Sequence, residues 1–428
     1  MNINKLTQQF KQLFSEDSTN ALGKAVGFCK RERDISPYRL TLALLESLAG
    51  GRVETVADLQ RSFNALCRTS VRYKPFYNQL SKRQFPMFMR RICERLMNQF
   101  TERSLMFQDD NPFHQFSRIL VHDGSSFGIK SGLKDVFPGR FTALKPAAVE
   151  LHVTMDLLSE SVESITLTPD TESEVHHAPA PEAVADGLVL LDRMFFVKHY
   201  LKAIEQAGGH YIVRSKGVIN PTVCNAFRPD GREISSWRGR KLKDIRQCIR
   251  RYDYVDLTVH WDDALEARVI ATWDHDNHRV RYLVTNLPRS SFSAEQIIQA
   301  YRLRWQIELM FKEWKSYANL HSFDTNNPAI AEGLIWASIA ATLLKRLLAL
   351  KAQTITGVAI STRTAAMALR HKLTHMMEAF MHYPRKLNRT LESIVVYLSQ
   401  DAKRAHLERE KINGRLALGL EYAIECAA

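Results

Sequence analysis

The hydrophobic positions along this chain keep one period up to about residue 105 and another after it. Ile3, Leu6, Phe10 and Leu13 recur at three- and four-residue intervals, as do Leu40, Leu44, Leu45 and Leu48, which is the spacing of one buried helix face. Ser36 followed by Pro37 predicts a helix start, and Gly50-Gly51 its end. Another helix is expected over 56–66. From about residue 116 the apolar runs become short and continuous. Residues 118–123, closed by Asp123 and a glycine, fit a strand buried on both faces. Residues 151–158 and 164–168 follow as hairpin-connected strands, and 169–186, rich in proline, alanine and acids, predicts a mobile loop. Residues 187–192 form a second apolar strand ending in Asp192, then a helix over 195–207 closed by Gly208-Gly209, then a strand over 210–215. This succession is an α/β pattern, with Asp123 and Asp192 at carboxyl ends of strands, where open α/β sheets place their sites.

Residues 216–290 interrupt that pattern. Residues 254–260, 267–273 and 279–285 alternate as antiparallel strands, so an inserted β-rich subdomain is expected. Then Ser293-Ala294-Glu295-Gln296 signals a capped helix start, and no Gly or Pro intervenes before Ser316. One helix over 294–316 is therefore predicted. At roughly 100° per residue, Tyr301, Arg304, Glu308 and Lys315 share one narrow stripe. Leu303, Ile307, Met310 and Trp314 form a separate apolar stripe. Taken alone, the polar stripe fits either a solvated face with an Arg304–Glu308 pair or a metal-binding carboxylate flanked by phosphate-holding cations. The run 334–344 contains Ser338 and Thr342 and ends at Lys345-Arg346. It is too short for a membrane span and predicts a buried core helix.

Charge adds a partner class. The 428 residues carry 59 Lys+Arg against 46 Asp+Glu, a formal net charge of +13, which favours a polyanion, nucleic acid first. The excess is local. Between Arg68 and Arg95 there are eight cations and one acid, interleaved with Tyr73, Phe76, Tyr77, Phe85 and Phe88. Residues 216–251 carry ten cations and three acids. Basic and aromatic residues on short helices suit DNA-backbone and groove contact, which makes Arg72, Lys74, Lys82 and Arg83 candidate DNA-binding residues. The alternative is core aromatics with solvated cations. The six cysteines contain no Cys-x-x-Cys, against a zinc module or a secreted disulfide scaffold. His371, His375 and Glu378 share a helix face, but with no second cluster they fit surface residues. His176-His177, in the loop, is expected to be solvated. The polar N-terminus, Met1-Asn2-Ile3-Asn4-Lys5, is not a signal peptide, and a cytoplasmic protein is expected.

Three carboxylates stand out: Asp123 and Asp192 at strand ends, and Glu308 on the polar stripe of an anchored helix. Acids in such places are costly unless they hold a cation or a hydrogen-bond network. Hard oxygen ligands suit Mg²⁺ or Mn²⁺ rather than zinc, and two such ions roughly 3.5–4 Å apart can bracket a phosphodiester. Arg304 and Lys315 can hold neighbouring phosphates.

Tyr301, Arg304, Glu308 and Lys315 match the pattern Tyr-x2-Arg-x3-Glu-x6-Lys. Through it the chain resembles insertion-sequence transposases of the IS-four family. His122-Asp123-Gly124-Ser125-Ser126 is similar to that family's first-acid motif. Asp192-Arg193 is similar to its second, with Met194 where the family has Gly, and Thr285-Asn286-Leu287 also fits. The resemblance covers about 116–320. It implies an RNase H-like catalytic core in two parts, 116–215 and 291–350, interrupted by a β-rich basic insertion at 216–290. A helical DNA-binding domain at 1–105 and a C-terminal helical region at 351–428, for dimerisation or DNA-end contact, flank the core. The implied triad is Asp123, Asp192 and Glu308, holding two Mg²⁺ ions, with Mn²⁺ as substitute. The implied activity is cut-and-paste transposition. A water nicks double-stranded DNA at the terminal inverted repeats, the freed 3′-hydroxyl forms a hairpin, and the opened end joins target DNA. Tyr301, Arg304 and Lys315 would then contact phosphates, with Trp305 and Arg214 as further DNA contacts. Trp237, Trp261, Trp273 and Trp305 are the candidates to stack a flipped base. A homodimer in a bacterial, nucleoid-associated setting is implied. Two rivals are a non-catalytic DNA-binding regulator, against which the acid triad weighs, and another RNase H-like nuclease, against which the Tyr-Arg-Glu-Lys spacing weighs.

Overall fold

The computed structural model describes residues 2–50, 53–217, 219–262, 265–318, 320, 323–405, 407, 410–411 and 415–422. Six helices open the chain: α1 (Ile3–Leu13), α2 (Glu16–Ala25), α3 (Pro37–Gly50), α4 (Val56–Cys67), α5 (Tyr73–Leu80) and α6 (Phe85–Met97). Local caps set their starts. Asn2 and Ser15 accept from backbone N–H groups at α1 and α2. Thr55 and Asp58 form a reciprocal capping box at α4, and Ser36 accepts from Arg39 N at 3.3 Å ahead of α3.

The strands are β1 (Leu105–Phe107), β2 (Ile119–Gly128), β3 (Ala148–Asp156), β4 (Ser161–Pro169), β5 (Leu188–Leu191), β6 (His210–Arg214), β7 (Thr222–Phe227), β8 (Tyr254–His260), β9 (Glu266–Asp274), β10 (Arg279–Thr285) and β11 (Leu420–Tyr422). β1 and β11 make a two-stranded ribbon. The others form one nine-stranded sheet in the order β4-β3-β2-β5-β6-β10-β9-β8-β7. β2, β5 and β6 are mutually parallel neighbours, and every other pairing is antiparallel. The strands expected in an inserted subdomain therefore continue the main sheet, joined through β10 to β6.

Alternation along β2 assigns its two faces. Ile119 and Val121 enter a core with Ile307 and Met310 and with the buried faces of the N- and C-terminal helices. Leu120 enters a second core, on the opposite face, with Val189, Leu201 and the inner residues of β8 and β9. That second face is covered by α7 (Lys198–Gln206) and α8 (Leu242–Ile245). Residues 169–186, expected as a mobile loop, fold into two 3₁₀ turns, Glu174–His177 and Pro181–Val184, with Val184 fully buried. Apolar side chains spaced among the prolines give the segment something to bury.

After the sheet come α9 (Ala294–Arg302), α10 (Trp305–Tyr317), α11 (Pro328–Thr356), α12 (Thr362–Ala368), α13 (Lys372–His382) and α14 (Leu387–Asp401). The 29-residue α11 is capped by Asn327 and packs against α3, α6, α12 and α14. It extends well beyond the apolar run 334–344 and, by length and composition, could cross a membrane; its most apolar window is wholly buried within the protein. Its approach to α6 is close: a Cβ on Gly333 would lie 2.2 Å from Phe85 Cδ1.

Candidate active site

The helix predicted over 294–316 is two helices. The predicted cap holds, with Ser293 Oγ accepting from Gln296 N at 3.2 Å and Gln296 Oε1 accepting from Ser293 N at 2.9 Å. The rod breaks at Leu303 and Arg304. There Leu303 N donates to Ala300 O, Arg304 N to Tyr301 O and Gln306 N to Leu303 O, at 2.9–3.1 Å, so three-residue turns replace the four-residue ladder. No Gly or Pro marks this, which is why the sequence conceals it. A buried ion-pair network fixes the approach to α9. Arg268 grips Asp256 through Nε and NH2 at 3.0 and 2.8 Å, and Arg289 binds the same carboxylate at 2.8 and 2.9 Å. Arg268 NH1 also donates to the carbonyls of Leu287 and Phe292, at 3.3 and 2.8 Å, just ahead of the cap.

The break aims Arg304 at the sheet. Its NH1 donates to Asp123 Oδ2 at 3.2 Å, and its NH2 is paired with Glu308 on the next turn. Arg304 and Asp123 are 16% and 17% exposed, so this is a sheltered pair and not a solvated surface one. Asp123 was expected at a strand end. β2 in fact continues to Gly128 along β3, while the parallel ladder to β5 stops at His122. The sheet thus opens on one side at the acid. Burial pushes the Asp123 carboxyl up to about 6, Arg304 and the Gly124 N–H pull it down, and Asp192 and Glu308 push it up. Asp192 follows β5 directly, as expected. The charges of both Asp192 and Glu308 therefore reach Asp123. Among the described residues, no group of three His, Cys, Asp or Glu is close enough to hold a metal ion; the positive charge between Asp123 and Glu308 is the Arg304 guanidinium. The donor set nevertheless fits a hard divalent cation, because its atoms are carboxylate oxygens and the buried member is held above the usual carboxylate range.

Of the remaining stripe residues, Tyr301 lies beside this centre and Lys315 toward the far end of β2. Burial pushes the Tyr301 phenol up to about 12, and its hydroxyl finds no hydrogen-bond partner among the described residues. The charges of Asp192 and Arg214 both reach it, so Arg214, at the end of β6, belongs to the same neighbourhood. Lys315 is exposed on the last turn of α10. Partial burial and the nearby Lys145 lower its pKa, and Lys145 lies against Gly128 at the far end of β2. Lys145 was missed; only its place in the fold reveals it.

Behind Asp123, on the other face of β2 and β3, lies a polar network the sequence did not announce. His122 Nδ1 and Thr154 Oγ1 are 2.9 Å apart, as are His152 Nε2 and Thr168 Oγ1. His177 stacks on His152 with ring centroids 4.1 Å apart and pairs with Glu172 at 3.0 Å, so it is sheltered, whereas His176 is exposed as expected. Burial pushes the Glu150 carboxyl up to about 8, with the neighbouring Glu174 adding to the rise and Arg140 opposing it. The signal was a period-two run of Glu150, His152 and Thr154, polar residues on one face of an apolar strand.

Other candidates fall away from this centre or into the core. Trp237 and Trp261 are buried, at 6% and 8% exposure, while Trp305 is 46% exposed beneath the Lys312 ammonium, 4.4 Å from its ring centroid. Trp273 is half-buried. In the basic stretch, Phe76, Phe85 and Phe88 are core residues, because their spacing follows the buried faces of α5 and α6. Lys82 donates to Phe28 O at 3.1 Å and lies over the Phe28 ring, a packing role. Arg72, Lys74 and Arg83 are exposed. His371 and His375 are surface residues.

Residues 114–344 match the family described as Transposase DDE domain. The transposase for insertion sequence element IS1151 of Clostridium perfringens is 22% identical over 239 residues, 47% of this chain and 50% of that relative. The transposase for insertion sequence element IS231B of Bacillus thuringiensis subsp. berliner is 22% identical over 364 residues, covering 74% of this chain and 76% of the relative. Over a shorter stretch of 62 residues, 14% of this chain and 17% of the relative, the transposase for insertion sequence element IS421 of Escherichia coli is 45% identical. The matched stretch 114–344 holds Asp123, Asp192 and Glu308 together.

Proposed function

This chain belongs to the transposase DDE-domain family, and we propose that it is the transposase of an insertion sequence of the IS-four group, with Asp123, Asp192 and Glu308 as its catalytic acids. The observation that carries this proposal is the joint grip of Arg304 on Asp123 of β2 and Glu308 of α10, which unites acids 185 positions apart, counted from 123 to 308, with Asp192 within electrostatic reach. A structural ion pair needs one acid, whereas a site for divalent cations needs several. An RNase H-like core is supported by the strand order β4-β3-β2-β5-β6, antiparallel over the first three strands and parallel over the last three. The strands β7–β10, between Asp192 and Glu308 in the chain, correspond to the insertion.

The acids would hold Mg²⁺ or Mn²⁺, which when bound supplies Lewis acidity for an attacking and a leaving oxygen at the scissile phosphate. The chain's own groups do the rest. Arg304 neutralises the acids before loading and is released to a DNA phosphate when divalent charge replaces it. The backbone of the DNA end is held by Arg304 as a fork at the start of α10 and by Lys315 as a point charge on its last turn, with the Tyr301 phenol at the end of α9 beside them. Trp305 offers an exposed ring beside them. Cleavage at terminal inverted repeats, a hairpin intermediate, strand transfer into target DNA, a homodimer holding two ends and residence on the bacterial nucleoid complete the proposed cut-and-paste route. Incubation of the full chain with duplexes taken from the DNA flanking its reading frame, with Mg²⁺, tests it. End cleavage by the wild type and none by Asp123→Ala is expected. Cleavage that survives Asp123→Ala overturns the assignment.

A further inference from the structure

One face round from Glu308, α10 borders a second pocket of about 460 Å³, within the roughly 300–1,000 Å³ of small-ligand sites. Its charged walls are Lys312, Arg346, Arg363 and Arg404 against Glu160 and Glu313. The cations come from parts of the chain with no shared local reason to converge: α10, α11, α12 and the segment after α14. Arg346 is 4% exposed and spends its Nε on the Glu160 carbonyl, at 2.9 Å. Arg404 donates to Glu410 at 2.7 Å and to the Ile360 carbonyl at 3.3 Å, and its NH2 lies 3.8 Å from Glu160 Oε1, yet its buried Nε–H meets no acceptor among the described residues. Glu313 accepts a hydrogen bond from Thr362 at 3.3 Å, and burial raises its pKa against the pull of Arg346, so the four cations face two acids. Guanidinium groups gathered out of water with donor capacity left over are costly unless an anion completes them.

We propose that this pocket receives a backbone phosphate of the bound DNA, at a position removed from the bond held at the acids. The proposal rests on the function proposed above. Forked guanidinium donors suit a tetrahedral phosphate oxygen pair. The route is also continuous: Lys312 is one helical turn beyond Glu308, roughly 40° round α10, and sits over the exposed Trp305 ring. A strand engaged along the Tyr301–Lys315 stripe therefore crosses Lys312 to reach Arg363 at the pocket mouth.

The test is binding without catalysis. The full chain is titrated into a fluorescent duplex in EDTA across a range of KCl, and log affinity is plotted against log salt. Arg363 is exposed, so Arg363→Ala leaves the core untouched. It is expected to lower the salt slope by about one and to weaken low-salt affinity several-fold, with Arg363→Lys retaining the slope. An unchanged slope in Arg363→Ala, as expected if the pocket takes an acidic peptide instead, overturns the proposal. Because this titration is independent of the end-cleavage assay above, a lowered slope together with no cleavage in that assay leaves the pocket standing and sinks the transposase assignment. Intact cleavage with an unchanged slope does the reverse.

Discussion

Arg304 has two acidic partners at once, and that geometry predicts opposite effects on two measurements. Arg304→Gln removes a guanidinium that competes with divalent ions for Asp123 and Glu308. Mn²⁺ should therefore bind the DNA-free variant several-fold more tightly, measured by the loss of free-ion signal in electron paramagnetic resonance. DNA cleavage should fall, because the same group is the proposed phosphate fork. Equal or weaker Mn²⁺ binding would refute the competition. The acids proposed here stand out in the sequence because each closes an apolar run or sits on a polar stripe. The Arg304–Asp123 pairing was not, since it depends on where the chain turns between Ala300 and Gln306. Glu150 and His177 were also hidden, because their company is supplied by strand register and by the folding of 169–186.

At the scale of elements, the placement of α9 depends on a buried junction more than on helix propensity. Asp256 and Arg268 are 5% and 7% exposed. Breaking such a pair from one side costs about 3–5 kcal/mol, so Asp256→Asn should lower the urea midpoint strongly, while Ser293→Ala, which loses a cap, should cost only about 1 kcal/mol. The pH dependence has a definite sign. Burial pushes the Asp256 carboxyl up, but Arg289 and Arg268 hold it below the usual carboxylate range overall. A depressed carboxyl adds its full stability above the unfolded-chain value of about 4 and loses it as pH falls through the folded value. The gap between wild type and Asp256→Asn should thus be widest near neutrality and shrink in acid, by denaturation at successive pH values. Most of the strands and several helix ends were readable, since Ser36 and Ser293 are local start signals and Gly208 a stop. The extension of β2 to Gly128 was not, because only β3 supports it there.

At the scale of the whole molecule, α11 joins regions that the sequence separates into domains. Buried apolar residues of α1, α3–α6, α10, α11 and α13–α14 belong to one core. Gly333→Ala would drive a methyl into the Phe85 ring, which is fully buried, and overpacking of this kind costs about 1–3 kcal/mol or more. The expected result is a lower thermal midpoint for the entire chain in one transition; separate melting of an N-terminal unit would contradict the shared core. This arrangement also has a consequence in the order of synthesis. Phe85 leaves the ribosome 248 residues before Gly333, a gap given by their numbers, and at roughly 5–20 residues per second that is about 10–50 s. For that interval the N-terminal helices exist without the helix they pack upon. A newborn copy therefore spends its first moments beside its own messenger with basic, apolar helices that have nothing yet to close over.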